Sequence, residues 1–519
     1  MFEYLKNTTA TGLGCMFLVS MGAFLFGFDN GWWGTIQGAE AFLRAFGSCT
    51  LVDGVETCNI STPQKAAGSS VQSGGIMVGS LVAMELNKAL GRRKSLVVTG
   101  IISIIGILLE ITSAIGSARF TQFVVGKTVA SVAMGLCAST VPIYLSETSS
   151  NEARGFAINM YQNVQIIGYC LAAGIVYASS KRDDAASYMI PIGLQFLAPV
   201  CMVTLSPLLP ESPRWLVWNG RRDDAIQSAS RLFGTKTNDF DAEKYIRELE
   251  IAFEKEQANP EVSSWKDLLH GPDFRRLLIA VGIQCWLQAQ GSGYIVNYMV
   301  SFLQDSGTSD VFPFIMGLNF VYYGGILTGH FLPDNQGRRP VIIYSTAANA
   351  VFMLIIASIN TAVSPSTHTS GAASVAFLFL WQLSSGVMSP LIWIICTEAA
   401  PTRNRERVLS IAVFISFGVS LMITSVSPYL QDKGYGNLGA RIGYIWGAAS
   451  VLTSVWSYIM VPESKGLSLE QLDYLYEQGV PARHFGKYHF TDAILPIENE
   501  KVESEVQGQD EVVFESKKH

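Results

Sequence analysis

Residues Leu13 to Gly38 read LGCMFLVSMGAFLFGFDNGWWGTIQG. The run is long enough for the roughly 20 apolar residues that cross a bilayer as a helix, and one carboxylate, Asp29, interrupts it. A charge near mid-membrane costs roughly 2.5–3.5 kcal/mol on insertion scales, so it is rarely kept for stability alone. Asp29 is therefore either a helix-end residue snorkelling to the interface or a titratable group on a polar path between helices. The remainder of the chain decides between them.

Of 519 residues, 49% are hydrophobic and only 15% charged, well below the roughly 25% of soluble domains, and the mean hydropathy is +0.29. Apolar runs recur along nearly the whole length, which describes a polytopic helical membrane protein. A net charge of −6 with no basic cluster argues against nucleic acid. The polar start MFEYLKNTTATG and the long run behind it do not read as a cleavable signal peptide. Cys15, Cys137, Cys170, Cys201, Cys285 and Cys396 lie in apolar runs, where a thiol packs as a small hydrophobe. Cys49 and Cys58 differ, because they share a polar loop with the glycosylation sequon Asn59-Ile60-Ser61. No CxxC pair or histidine cluster suggests a metal, no cofactor motif is present, and no nucleophile–base set points to an enzyme.

Hydropathy places twelve spans at about 13–38, 66–89, 94–116, 120–145, 156–179, 187–209, 276–303, 311–333, 340–363, 371–396, 407–430 and 440–461. In lipid such spans must be helices, since each segment has to satisfy its own backbone. Gly91-Arg92-Arg93-Lys94, Gly337-Arg338-Arg339 and Arg403, Arg405 and Arg407 all fall between spans on one side, so the positive-inside rule predicts both termini in the cytosol. The loop at about 39–65 is then outside, where a Cys49–Cys58 disulfide and a glycan on Asn59 are expected. The polar segment 210–274 carries helical periodicity and reads as cytosolic helices joining an N-terminal half, 1–209, to a C-terminal half, 275–461. Beyond Pro462, LSLEQLDYLYEQ predicts one more amphipathic helix, and the acidic tail 462–519 is expected to be largely disordered.

The halves repeat. GRR follows the second span of each, and a proline, a glutamate and an arginine mark each fourth span: Pro142, Glu147 and Arg154, then Pro390, Glu398 and Arg405. Carriers are commonly built from such repeats, with substrate held near the midplane between them. At this point the chain resembles the sugar porter family of the major facilitator superfamily, fungal in flavour, over residues 10–478. The carrying motifs are Gly27-Phe28-Asp29, the two GRR sequences, Pro142-Ile143-Tyr144-Leu145-Ser146-Glu147, Pro210-Glu211-Ser212-Pro213-Arg214 and Pro462-Glu463-Ser464-Lys465-Gly466. The resemblance implies an all-α membrane protein of the major facilitator fold, with twelve transmembrane helices in two six-helix halves and a cytosolic helical linker. It implies a monomeric carrier in the plasma membrane lipid bilayer that moves a small-molecule substrate, a sugar, with protons.

The family also implies roles for residues at matching positions. Asp29 would take the coupling proton, with Lys127 of span 4 standing where the family usually carries arginine. Lysine keeps the charge but loses the guanidinium fork. Gln162 and Trp393 match sugar-binding positions. In span 7, Gln288, Gly291 and Tyr298 match, whereas Leu287, Gly293 and Asn297 depart, leaving Gln290 and Asn297 as substitute polar groups. For every buried amide the plain alternative is an interhelical hydrogen bond, worth roughly 0.6 kcal/mol. Arg92, Arg93, Glu147, Arg154, Glu211, Arg338, Arg339, Glu398, Arg405 and Glu463 would form gating salt bridges at the cytosolic helix ends. The reading is a secondary active sugar carrier working by alternating access as a proton symporter. A carrier of a polyol, organic acid or secondary metabolite, or a non-transporting sugar sensor, remains the alternative.

Overall fold

The structure is a computed structural model that describes residues 9–52, 55–116, 118–149, 154–234, 240–258, 267–308, 310–363, 367–401, 405–467 and 469–488. Twelve helical spans run through it. Those of the first half are Ala10–Ile36, Thr62–Leu90, Arg92–Thr112, Phe120–Thr148, Arg154–Ser179 and a sixth made of Ala186–Leu194 and Leu197–Leu205. The second half has a seventh made of Gly271–Leu287 and Gly293–Asp305, then Phe312–Gln336, Arg338–Ala362, His368–Ala399, Arg405–Gln431 and Gly443–Met460. Among the described residues, eight helices are long and apolar enough to cross a membrane by length and composition alone. Spans 2, 7, 8 and 12 are not among them. Span 2, for example, carries Ser69, Gln72, Ser73, Ser80 and Asn87 on the face it buries against its neighbours.

Local signals set the ends. The Thr9 side chain caps span 1 by accepting the Gly12 N–H at 2.9 Å. Ser61 and Gln64 form a capping box at the start of span 2, and Thr367 with Ser370 does so for span 10. Between spans 1 and 2 lie a short helix, Glu40–Phe46, and an antiparallel hairpin of β1 (Ser48–Val52) and β2 (Val55–Asn59). Cys49 faces Cys58 in that hairpin and the two are disulfide-bonded, while Asn59 is exposed at its end. We call this face of the molecule the hairpin side and the opposite one the linker side.

Each half holds two apolar cores. In the first, Trp32, Trp33, Phe42, Phe46 and Phe123 pack near the hairpin side, and Met16, Met134, Tyr144 and Leu145 near the linker side. In the second, Tyr294, Phe302 and Trp446 occupy the hairpin side, and Ile283, Met388, Ile395 and Tyr476 the linker side. Spans 2 and 4 approach glycine to glycine: a Cβ on Gly79 would lie 2.9 Å from the Gly135 Cα. Spans 8 and 10 do the same, where a Cβ on Gly325 would lie 2.9 Å from the Gly386 Cα. The duplication read in the charged loops thus extends to the packing inside the membrane.

Span 7 is broken. Residues Gln288–Ser292 form a π turn with Gly291 at φ 107°, and Tyr298 is also non-helical. Irregular backbone at this depth is tolerated only inside protein or along a cavity, and π turns concentrate at functional sites.

The linker forms helices Pro213–Trp218, Arg222–Phe233 and Ala242–Ala258 around a small core of Leu216, Ala225, Ala229 and Ile246. The tail is described as far as Tyr488. Its predicted helix is present as Leu469–Glu477, but order continues through a 3-10 turn at Ala482–Lys487, with Phe485 fully buried. Basic groups of span 7 hold it there: Arg275 Nη1 donates to the Val480 carbonyl at 2.8 Å, and Arg276 pairs with Asp473 over the Tyr476 ring. Burial of aromatic surface stabilises this stretch against the second half. Residues 489–519 lie outside the described residues.

Candidate functional site

Asp29 is buried in the first half, 3% exposed, which settles against a residue snorkelling at a helix end. Its Oδ1 accepts two hydrogen bonds, from Lys127 Nζ at 3.1 Å and from Trp32 Nε1 at 2.9 Å. Lys127 has no exposed surface, and its ammonium also lies 5.2 Å from the ring centres of both Trp32 and Trp33. A cation in a dry site is stabilised by such faces as well as by its counter-ion. Trp33 is held in turn by donating to Ser69 Oγ at 3.0 Å. Removing either charge would leave the other buried and uncompensated.

Between the four cores runs a polar waist where the halves meet. Gln162 of span 5 donates from Nε2 to Ser389 Oγ of span 10 at 2.7 Å. Next to it, Asn163 Nδ2 faces His330 Nε2 of span 8 at 3.5 Å. Ser73 and Ser420 touch at 3.1 Å between spans 2 and 11, and Gln72 Nε2 donates to Asn30 Oδ1 at 3.0 Å. Trp393 is half-buried on span 10, six residues from the helix end at Ala399.

The span-7 residues divide. Gln288 is half-buried, with Oε1 3.1 Å from where a Cβ on Gly293 would stand. Gln290 is fully buried inside the second half, where it accepts from Asn349 at 3.3 Å and lies 3.2 Å from Met388 Sδ. Asn297 donates to the Gly293 carbonyl of its own helix, and Tyr298 donates to the Thr424 carbonyl at 2.6 Å. Gln290, Asn297 and Tyr298 are therefore engaged by the protein itself in this conformation. The backbone beside them closes the hairpin side, where Gln37 Nε2 of span 1 donates to the Asn297 carbonyl at 2.9 Å. Above it, Asp432 of the second half accepts from Thr62 at 2.7 Å and from Lys65 at 3.2 Å in the first. Gln431 completes this seal by donating to Asp305 and accepting from Tyr294 at 2.8 Å.

A family model described as "Sugar (and other) transporter" matches residues 15–476. The chain belongs to the sugar transporter family. Among its relatives is the major facilitator-type transporter ecdD of Aspergillus rugulosus, 30% identical over 91% of this chain and 88% of that protein. The probable glucose transporter rco-3 of Neurospora crassa is 29% identical over 91% of this chain and 80% of that one. In fold the chain matches the inward-open xylose transporter XylE from E. coli with a TM-score of 0.70, over 89% of this chain and 99% of that one, at 19% identity. The fold is accordingly that of the major facilitator superfamily.

In this member of the sugar transporter family the two GRR motifs have one geometry. Gly91 and Gly337 sit at φ 83° and 100°, each ending one span and opening the next. Glu211 accepts the backbone N–H groups of Arg92 and Arg93 at 2.9 and 3.2 Å, and Glu463 those of Arg338 and Arg339 at 3.0 and 3.2 Å. These glutamates cap helix N-termini, where the dipole favours an anion. Burial raises the Glu211 carboxyl above the usual range, and the N–H groups of Ser212, Arg93 and Arg92 oppose it. The side chains do the cross-linking: Arg92 pairs with Glu147 at 2.8 Å and Arg338 with Glu398 at 3.6 Å. Arg93 and Arg339 instead donate to the carbonyls of Leu209 and Tyr458, because the capping glutamates are already taken by main chain. The side chains of Arg154 and Arg405 lie outside the described residues.

Sequence reading passed over Glu110, Gln195, His330, Ser389 and the Lys65–Asp432 pair. Glu110 was legible, since it interrupts the apolar run of span 3 as Asp29 interrupts span 1. The others are ordinary polar residues whose partners are distant in sequence.

Proposed function

We propose that the protein is a proton-coupled sugar symporter of the plasma membrane, with both termini cytosolic, working by alternating access. The observation that carries this reading is the enclosed Asp29–Lys127 pair, a proton acceptor held next to a cation in a dry interior where charge is costly. Protonation of Asp29 would release Lys127 and alter how spans 1 and 4 pack. The XylE protein is a proton:xylose symporter, and rco-3 a probable glucose transporter, which favours sugar and symport here. Gln162, Ser389, Gln288 and Trp393 then supply the amide, hydroxyl and aromatic groups for a sugar ring at the waist. In this conformation the Gln162–Ser389 bond occupies the place of a substrate hydroxyl, and the seal at Asp432 shuts the outer side. Opening that seal and breaking the Gln162 bond admit the substrate.

A carrier of a non-sugar metabolite is the second reading. It is favoured by span 7, where Gln290 and Asn297 turn away into the protein. The deciding experiment is uptake of a labelled panel of sugars and polyols in a transporter-deficient yeast, with and without a protonophore. Sugar accumulation that the protonophore abolishes, and that Asp29→Asn loses, is expected. No sugar uptake points to the metabolite carrier, and protonophore-insensitive uptake to a facilitator.

A further inference from the structure

Glu110 of span 3 has no exposed surface. Asp29 of span 1 and Lys127 of span 4 are the charged groups whose fields reach it, and Gln195 of span 6 donates to its Oε2 at 3.1 Å. The four helices thus enclose two carboxylates and a single cation. Within this cluster Glu110 Oε1 and Asp29 Oδ2 are buried with no hydrogen-bond partner among the described residues. A cavity of about 10 Å³ is lined by Asp29, by Ser103 and Ile107 of span 3, and by Gln195, the residue that donates to Glu110. That is room for about one water.

We propose that Glu110 is the second carboxylate of the proton site, and that one exchangeable proton is shared between Asp29 and Glu110 beside Lys127. With every group ionised the cluster carries one net negative charge, and a single proton brings it to zero. A dry interior disfavours the uncompensated charge, so the neutral, singly protonated cluster is the resting form. The proton sits on one of the two unpartnered oxygens, and Lys127 pairs with whichever carboxylate remains ionised. Lysine suits this role better than a guanidinium fork, because a compact ammonium on a flexible stem can change partners. The proposal rests on the proton-coupled reading for its physiological meaning but not for its test.

Purified protein in lipid nanodiscs is examined by infrared spectroscopy for a protonated-carboxyl band at neutral pH. Wild type is expected to show a component that disappears in Glu110→Gln and also in Asp29→Asn, since each substitution leaves one carboxylate balanced by Lys127. A component that survives in either single variant assigns the proton to one residue and overturns sharing, as does its absence from wild type. Should Glu110→Gln fail to give monodisperse protein, Gln195→Leu removes the donor that favours ionised Glu110, and the band's midpoint pH is expected to rise. An unchanged midpoint overturns the proposal. In uptake assays, Glu110→Gln should lower the pH of half-maximal transport by about one unit or more, because a neighbouring negative charge is gone. Uptake insensitive to a protonophore, with the infrared pattern intact, would defeat the symport reading while leaving the shared proton standing.

Discussion

Asp29 and Lys127 illustrate how a buried pair is worth little as a pair and much as two dependents. Each is nearly free of solvent, and each is the other's counter-ion at 3.1 Å. Lys127→Ala is expected to destabilise the protein by about 3–5 kcal/mol by stranding Asp29, with the Lys127→Ala/Asp29→Asn double variant recovering part of that loss. Thermal unfolding in one detergent, followed for all three variants, measures it. At the linker side the dependence runs through main chain. Glu211→Gln weakens the hydrogen bonds that Glu211 accepts from Arg92 and Arg93, at a cost of about 1–2 kcal/mol. The same assay should show Glu463→Gln losing a similar amount, because the second half repeats the geometry.

Among elements, the glycine contacts decide how near the helices come. Gly135 sits where a Cβ would meet Gly79, and Gly386 where it would meet Gly325. Gly135→Leu and Gly386→Leu should each abolish the monodisperse peak in size-exclusion chromatography, whereas Gly14→Ala, with open space at that position, should leave it unchanged. The π turn of span 7 belongs to the same scale. Gly291 lies at φ 107°, so Gly291→Ala strains the break by about 1–2 kcal/mol and should slow uptake more than it weakens sugar binding. Rate and affinity measured on the same variant separate those effects.

For the whole molecule, the halves are held at the waist by single polar contacts and at the hairpin side by the Asp432 seal. Asp432→Asn removes the ionised acceptor shared by Thr62 and Lys65. Losing roughly 1.5 kcal/mol of charge-assisted bonding corresponds to about a tenfold more frequent opening. Labelling of Ala66→Cys, which is buried beside Lys65, by an impermeant maleimide should accelerate by that factor in a background lacking Cys170, Cys201 and Cys285. An unchanged labelling rate would mean that the seal does not control access.

The amino-acid sequence by itself determined what depends on composition and on neighbours along the chain. Twelve spans, the duplication, the linker helices and the isolated carboxylate in LFGFDNGWW are all of that kind, because insertion of a segment into lipid depends chiefly on its own residues. The Cys49–Cys58 bond was legible for the same reason, being nine residues apart in one loop. Tertiary structure decided everything that needed two distant residues. Nothing in a stretch of sequence tells whether Gln290 faces substrate or Asn349, whether Lys65 meets Asp432 across 367 positions, or whether Phe485 finds a core to enter. Asp29 belongs to both lists. Its cost was visible from one helix, but the lysine, the tryptophans and the second carboxylate that make it a site come from spans 1, 3 and 4 packed together.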